Sequence, residues 1–264
     1  MNSSGIVTLI TDFGIQDPYV GQLKGALLKS CREVNIIDLT HFIAPQNVPA
    51  AAQVLFSSFQ FFPPGTVHLT VVDPGVGSAR KILAAAGAGY YFIAPDNGIF
   101  TLLFDQGIIS EVYQVTYQSM SKSTTFHGRD IMAPAAALLA KGEPLSAIGK
   151  PIVQEQCAML SQPGFVQKED HLIAEVIRVD HFGNLRISIR DTDLERLGVD
   201  RSKMRIVIGK AEVSSLSATY SSQQPGCLCA LIDSDGFLEI AVNQGNAAER
   251  IAARLGDQVT IWFE

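Results

Sequence analysis

Thr66-Val67-His68-Leu69-Thr70-Val71-Val72-Asp73-Pro74-Gly75-Val76-Gly77-Ser78-Ala79-Arg80 is the stretch from which the fold of this chain can be read. Its first seven residues are apolar and rich in β-branched side chains, as a buried parallel strand requires. The strand then runs into a carboxylate, a proline and two glycines, which is turn chemistry. In an open α/β sheet, ligands sit outside the carboxyl ends of strands, so Asp73 and Arg80 occupy a site loop. A second Gly-containing loop, Thr125-Phe126-His127-Gly128-Arg129-Asp130, supplies a histidine. An acid, an arginine and a histidine are the parts needed to orient and deprotonate water. Taken singly, each also has an ordinary structural use: Asp-Pro-Gly is a common turn, and a lone Arg or His is more often solvated or structural.

Working outward, Ile6 to Thr11 is another apolar run that ends in an acid, Asp12-Phe13-Gly14. Val20, Leu23, Leu27 and Leu28 recur at helical spacing over Tyr19 to Ser30. A strand over Val34 to Thr40 follows, then a loop over His41 to Asn47, then a helix with Pro49 in its first turn that runs to Phe59. Strand, helix, strand, helix, strand is the rhythm of a parallel sheet with helices on its faces. Beyond the central loop, strands are expected over Ile82 to Ala86, Tyr90 to Ala94 and Glu111 to Thr116. Asn97 is expected to cap a helix over Ile99 to Phe104, and a helix is expected over Ile131 to Ala140 with Pro134 near its start. Lys141 to Gln167 is punctuated by Gly and Pro and reads as a surface connector. The remainder consists of short strand-like runs, with helical patterns only at Asp193 to Leu197 and Ala247 to Leu255, which favours a barrel or sandwich. The fold class is therefore α/β, with an N-terminal parallel-sheet βαβ domain over residues 1–163 carrying the Asp/Arg/His site. A smaller C-terminal β-barrel-like domain covers residues 164–264.

Hydrophobic residues make up 47% of the 264-residue chain and charged residues only 17%, which supplies real cores and argues against disorder. A net charge of −6 without a Lys/Arg cluster lacks the electrostatic footprint of a nucleic-acid binder. No run reaches about 18 uninterrupted apolar residues, and the N-terminus lacks a basic, apolar leader, so neither membrane insertion nor export is expected. Cys31, Cys157, Cys227 and Cys229 are too sparse for a disulfide framework. Reduced thiols in a cytoplasmic protein are expected, with Cys227 and Cys229 on one apolar strand face. Asp12, Asp73, His127 and Asp130 could be gathered around a divalent ion. No His-Glu-x-x-His or Cys-x-x-Cys pattern supports this, and Arg80 beside Asp73 opposes a cation, so no metal is expected. A dinucleotide loop, a Walker lysine and a Gly-x-Ser-x-Gly elbow are all missing. What remains is a water-activating group suited to attack on a carbon bearing a good leaving group.

The ordered blocks TDFG, YVGQLKG, VVDPGVGSAR, APDNG, TFHGRDIMAPAAA and DHFGN resemble the S-adenosylmethionine hydroxide adenosyltransferases, relatives of the fluorinase and chlorinase. The resemblance implies transfer of the adenosyl group of S-adenosylmethionine to hydroxide, giving adenosine and L-methionine without a cofactor. It also implies a homotrimer whose sites lie between the first domain of one subunit and the second domain of its neighbour. By the same resemblance Asp73, Arg80 and His127 match the catalytic acid, arginine and histidine. Asp12 matches the acid that grips the ribose hydroxyls, and Asp180 the acid that contacts the methionine amine. Phe182 and Asn184 match positions that stack on and hydrogen-bond adenine, with Ser234 close to the same base. Gln46 and Val242 depart from a halogenase tryptophan beside the sugar and an arginine near adenine. Halide transfer to the same substrate, a non-catalytic adenosine or S-adenosylmethionine sensor and a metallohydrolase are the competing readings.

Overall fold

The structure is a computed structural model that describes residues 2–117 and 123–263. It divides into two compact units, Met1–Leu160 and Ser161–Glu264. In the first, the elements run β1 (Ile6–Thr11), α1 (Tyr19–Ser30), β2 (Asn35–Thr40), α2 (Val48–Ser58), β3 (Val67–Val71), β4 (Ile82–Gly87), β5 (Tyr90–Pro95), α3 (Thr101–Asp105), β6 (Glu111–Val115), α4 (Ala133–Ala140), α5 (Leu145–Ile148) and β7 (Gly149–Ile152). Among the described residues they form a seven-stranded sheet in the order β2-β1-β3-β5-β4-β6-β7. The first four strands in that order are parallel. The remaining pairings are antiparallel, and between β4 and β5 the two-residue Ala88-Gly89 link is too short for a crossover and permits only a hairpin.

Burial follows the strand period of two. Val7, Leu9, Leu69 and Val71 pack with Leu23 and Leu27 of α1 and the alanines of α4 on one face. Ile10, Val72 and Phe92 pack with Leu55, Phe59 and Leu103 on the other. From β1 the chain passes through α1 to β2 on one side, and from β2 through α2 to β3 on the other side of β1. That reversal is the topological switch point, where a crevice opens at the carboxyl ends of β1 and β3. Thr11 pairs with Val71, so Asp12 and Asp73 emerge from adjacent strand ends.

The second unit contains β8 (Val166–Gln167), β9 (His171–Val179), β10 (Leu185–Arg190), α6 (Asp191–Arg196), β11 (Arg205–Ile208), β12 (Ala211–Ser214), β13 (Leu228–Ile232), β14 (Phe237–Val242), α7 (Ala247–Ile251) and β15 (Gln258–Trp262). The strand path is β12-β11-β15-β9-β10-β14-β13, with β8 added to β9, and every pairing is antiparallel. The two ends of the path, β12 and β13, approach one another, giving a nearly closed barrel filled by Leu172, Leu185, Ile187, Leu238, Ile240 and Val259.

Three local expectations are corrected. Asn97 does not cap α3: its Nδ2 donates to the Val72 carbonyl at 2.9 Å, tying the next loop to the end of β3. Lys141 to Gln167 is more than a connector, since it contributes α5 and the edge strand β7, where Pro151 is tolerated. Cys227 precedes β13 and is exposed, whereas Cys229 is buried, so the two do not share an apolar face. Among the described residues no helix is long and apolar enough to cross a membrane.

Candidate active site

The loop after β3 folds back so that Arg80 reaches Asp73. Its Nε donates to Oδ1 at 2.6 Å, and its Nη2 donates to Oδ2. This is the planar fork of a guanidinium on a carboxylate, with side chains only 9% and 7% exposed. The same Nη2 lies 3.1 Å from His127 Nδ1. A guanidinium has no acceptor, so Nδ1 must accept, and the proton of the neutral imidazole is on Nε2. Burial pulls the His127 pKa below the usual histidine value, and the Arg80 charge adds to that; Asp73 and Asp130 oppose it. These surroundings favour the neutral ring.

Gly77 explains how the two loops meet. Its φ is +82°, and a Cβ there would sit 2.7 Å from the Thr124 carbonyl oxygen, so a side chain would push the loops apart. Asp12 Oδ2 accepts from the backbone N of Gln46 at 2.8 Å, and Gln46 is held at φ +66° to make that contact. Asp12, Asp73 and His127, with Phe13, Gln46 and Phe126, line one cavity of about 340 Å³. Asp130 turns elsewhere. It is bound bidentately by Arg129 at 2.6 and 3.0 Å and accepts from Ser123 N, and the Arg129 hydrogen bond holds its carboxyl below the usual range. Among the described residues, no three His, Cys, Asp or Glu side chains gather into a group that could hold a metal ion.

In the second unit, Asp180 organises the turn between β9 and β10. Its Oδ1 accepts from Phe182 N and Asn184 N at 2.9 and 2.8 Å, and its Oδ2 accepts from Asn184 Nδ2 at 3.1 Å. Gly183, at φ +82°, lies so close to Asn246 that a Cβ would fall 1.9 Å from Oδ1 of that residue, which caps α7. Asp180, Asn184 and Ser234 line a cavity of about 410 Å³, together with Arg186, Tyr220 and Glu239. The Phe182 ring is 71% exposed and does not line that cavity.

Sequence reasoning missed Phe13, Phe126, Arg186, Tyr220 and Glu239 as cavity-lining groups. A single acid inside the otherwise apolar run Phe237 to Val242 was the signal for Glu239. Tyr220 sits in a Ser/Gln-rich stretch that gives none.

Residues 7–149 match the SAM hydroxide adenosyltransferase N-terminal domain, and residues 174–260 match the C-terminal domain of the same family. The chain belongs to the SAM hydroxide adenosyltransferase family. Its relatives include the (R)-S-adenosyl-L-methionine hydrolase of Salinispora arenicola, 34% identical with 99% of both chains covered. The protein of the same name from Thermus thermophilus is 35% identical, covering 97% of this chain and 98% of its own. The fluorinase of Nocardia brasiliensis is 30% identical, covering 97% and 96%. Among solved structures, an uncharacterized conserved protein from Thermotoga maritima superposes with a TM-score of 0.89 at 35% identity, covering 97% of this chain and 99% of that one.

Proposed function

We propose that this protein is an S-adenosyl-L-methionine hydrolase, in which water attacks the 5′-carbon in line with the departing sulfonium, giving adenosine and L-methionine. The observation that carries this reading is the Asp73–Arg80–His127 constellation opening into the cavity that also holds Asp12. Arg80 is the clamp: it fixes the Asp73 carboxylate and the His127 tautomer, and its charge favours hydroxide as a proton leaves. With Nδ1 engaged by Arg80, His127 orients the water through Nε2–H, and a remaining lone pair of Asp73 takes the proton. The sulfonium departs as a neutral thioether and needs no acid. Holding water, carbon and sulfur collinear is worth roughly 7–11 kcal/mol in favourable intramolecular cases, so positioning carries most of the rate.

Asp12 grips the ribose hydroxyls with oxygens steadied by the Gln46 N–H. Asn184 and Ser234 hold the adenine, Phe182 stacks on it, and Asp180 shapes that turn and turns its spare lone pairs toward the methionine amine. Residues 1–163 act as the water-activating domain and residues 164–264 as the adenine-binding domain. The working unit is a homotrimer in the cytoplasm, with each site completed by a neighbouring subunit and neither metal nor cofactor required. Full-length resemblance to the hydrolases, together with the large exposure of Phe182, supports this arrangement. The test is product analysis after incubation with S-adenosyl-L-methionine and excess chloride. Adenosine with equimolar methionine is expected; 5′-chloro-5′-deoxyadenosine would identify a halogenase, and binding without turnover a sensor.

A further inference from the structure

Thr11 closes β1 and Asp12 follows it, so whatever fixes Thr11 aims Asp12. Thr11 is fully buried, and its Oγ1 lies 2.9 Å from Nδ1 of His41, a side chain only 5% exposed. Across the ring, His41 Nε2 lies 3.1 Å from Asp38 Oδ1, and Asp38 Oδ2 accepts from Lys24 Nζ of α1 at 2.6 Å. With a carboxylate opposite Nε2, the proton of the neutral imidazole belongs there, and Nδ1 accepts from the Thr11 hydroxyl. That hydroxyl in turn accepts from Phe13 N at 3.3 Å, so its proton and a lone pair are both engaged. His41 is thus desolvated and oriented from both nitrogens, yet it does not line the cavity that Asp12, Phe13, Pro45 and Gln46 border. Its work is done through other residues.

Those residues lie on the loop that His41 begins. The His41 carbonyl accepts from Gly14 N at 2.7 Å, and Ile43 N donates to the Thr11 carbonyl at 3.4 Å. Gln46 N donates to Asp12 Oδ2 at 2.8 Å from left-handed backbone at φ +66°, a conformation that a non-glycine residue keeps only where its surroundings enforce it. At the far end Asn47 Oδ1 accepts from Ala50 N at 3.0 Å and caps α2. The loop is therefore pinned to the strand by His41 and to the helix by Asn47. Between those pins it presents one N–H to the Asp12 carboxylate.

We propose that His41 is a positioning residue for ribose recognition: by tying Thr11 to the loop over His41 to Asn47, it holds the Asp12 carboxylate and the Gln46 N–H in one fixed relation. The remaining carboxylate lone pairs are then aimed into the cavity for a vicinal diol. The inference rests on Asp12 being the ribose contact, and it adds to that reading a residue that never touches the substrate. A cis-diol must meet two acceptor positions at once, so its recognition depends on how the carboxylate is turned and not on its charge alone. Loss of the tie should therefore remove selectivity for the diol and spare affinity for the rest of the nucleoside.

The test is calorimetric binding of adenosine and of 2′,3′-dideoxyadenosine, which lacks both hydroxyls, to the full-length protein. Wild type should prefer adenosine by about 10- to 100-fold, the size of one hydrogen bond to a charged group. In His41→Leu the preference should shrink to about threefold or less through weaker adenosine binding, with the Kd for the dideoxynucleoside within about twofold of wild type. His41→Asn, whose side-chain carbonyl can stand where Nδ1 stood and accept from Thr11, should recover most of the preference. Thr11→Val removes the same bond from the strand side with a β-branched side chain of similar shape. It should narrow the preference as His41→Leu does, so the proposal stays testable if the histidine variants fold poorly. A preference unchanged in His41→Leu or Thr11→Val would overturn the proposal, as would equal loss of affinity for both nucleosides or a His41→Asn no better than His41→Leu. A wild type that binds the two nucleosides alike would instead defeat the assignment of Asp12 to the ribose.

Discussion

Replacing Arg80 by lysine separates the charge of the clamp from its geometry. Arg80 makes three hydrogen bonds within the site, two to Asp73 and one to His127. Lysine keeps the positive charge and can retain one bond to Asp73, but a compact ammonium cannot reproduce the planar fork. Two charge-assisted bonds are lost, a gross effect of about 3–6 kcal/mol at about 1.5–3 kcal/mol each. The pair is almost fully enclosed, with side chains 9% and 7% exposed, so solvent screens little of this. Water entering beside the shorter side chain recovers part. We therefore expect about 2–3 kcal/mol less unfolding stability and, if the same loss falls on the transition state, a kcat lower by about 30- to 150-fold. The pH profile gives the sharper readout. In the proposed mechanism His127 works as the neutral ring, so activity should fall as pH drops through its pKa, which the wild-type surroundings hold below the usual value. Without a donor on Nδ1, protonation there meets less resistance, and the acid limb of kcat/KM should move to higher pH in Arg80→Lys. Adenosine release measured by chromatography between about pH 4.5 and 9, with urea unfolding of the same samples, reads both quantities. A variant with wild-type kcat and an unmoved acid limb would refute the clamp.

Other consequences follow from the same geometry. His68 is fully buried among Phe59, Phe62, Tyr90 and Phe92, and burial lowers its pKa to about 3. The unfolded chain takes up this proton near pH 6.5 and the folded one does not, so stability is full above that pH and declines toward pH 3, by roughly 5 kcal/mol. His68→Leu should flatten the pH dependence of urea midpoints between about pH 6 and 4. Gly183→Ala should weaken adenosine binding at least about tenfold while leaving Asp73, Arg80 and His127 undisturbed, because its Cβ would displace Asn246 and the turn that carries Asn184; calorimetry checks this. Dialysis against a chelator should leave kcat unchanged in a side-by-side adenosine assay.

How much of this was legible beforehand varied with the source of the signal. β1 and β3 were readable because each is a short β-branched run ending in an acid, and their paired ends place Asp12 and Asp73 on one crevice. Strand β7 was hidden because four residues that include a proline carry no alternation, and what makes them a strand is pairing with β6. The Asn97 cap failed because a local rule lost to a tertiary partner, the Val72 carbonyl. The His127 tautomer is beyond sequence altogether, since it depends on which Arg80 nitrogen reaches the ring. Likewise, only the barrel register reveals that Arg178, Arg186 and Glu239 stand in one row, with Arg186 and Glu239 buried.

The claim on which all of this depends is that solvent oxygen attacks the 5′-carbon, and isotope labelling tests it most directly. Turnover of S-adenosyl-L-methionine in ¹⁸O-water should place one heavy oxygen in the 5′-hydroxyl of adenosine and none in the methionine formed with it. Label in the methionine, or adenosine carrying no label, would contradict the account.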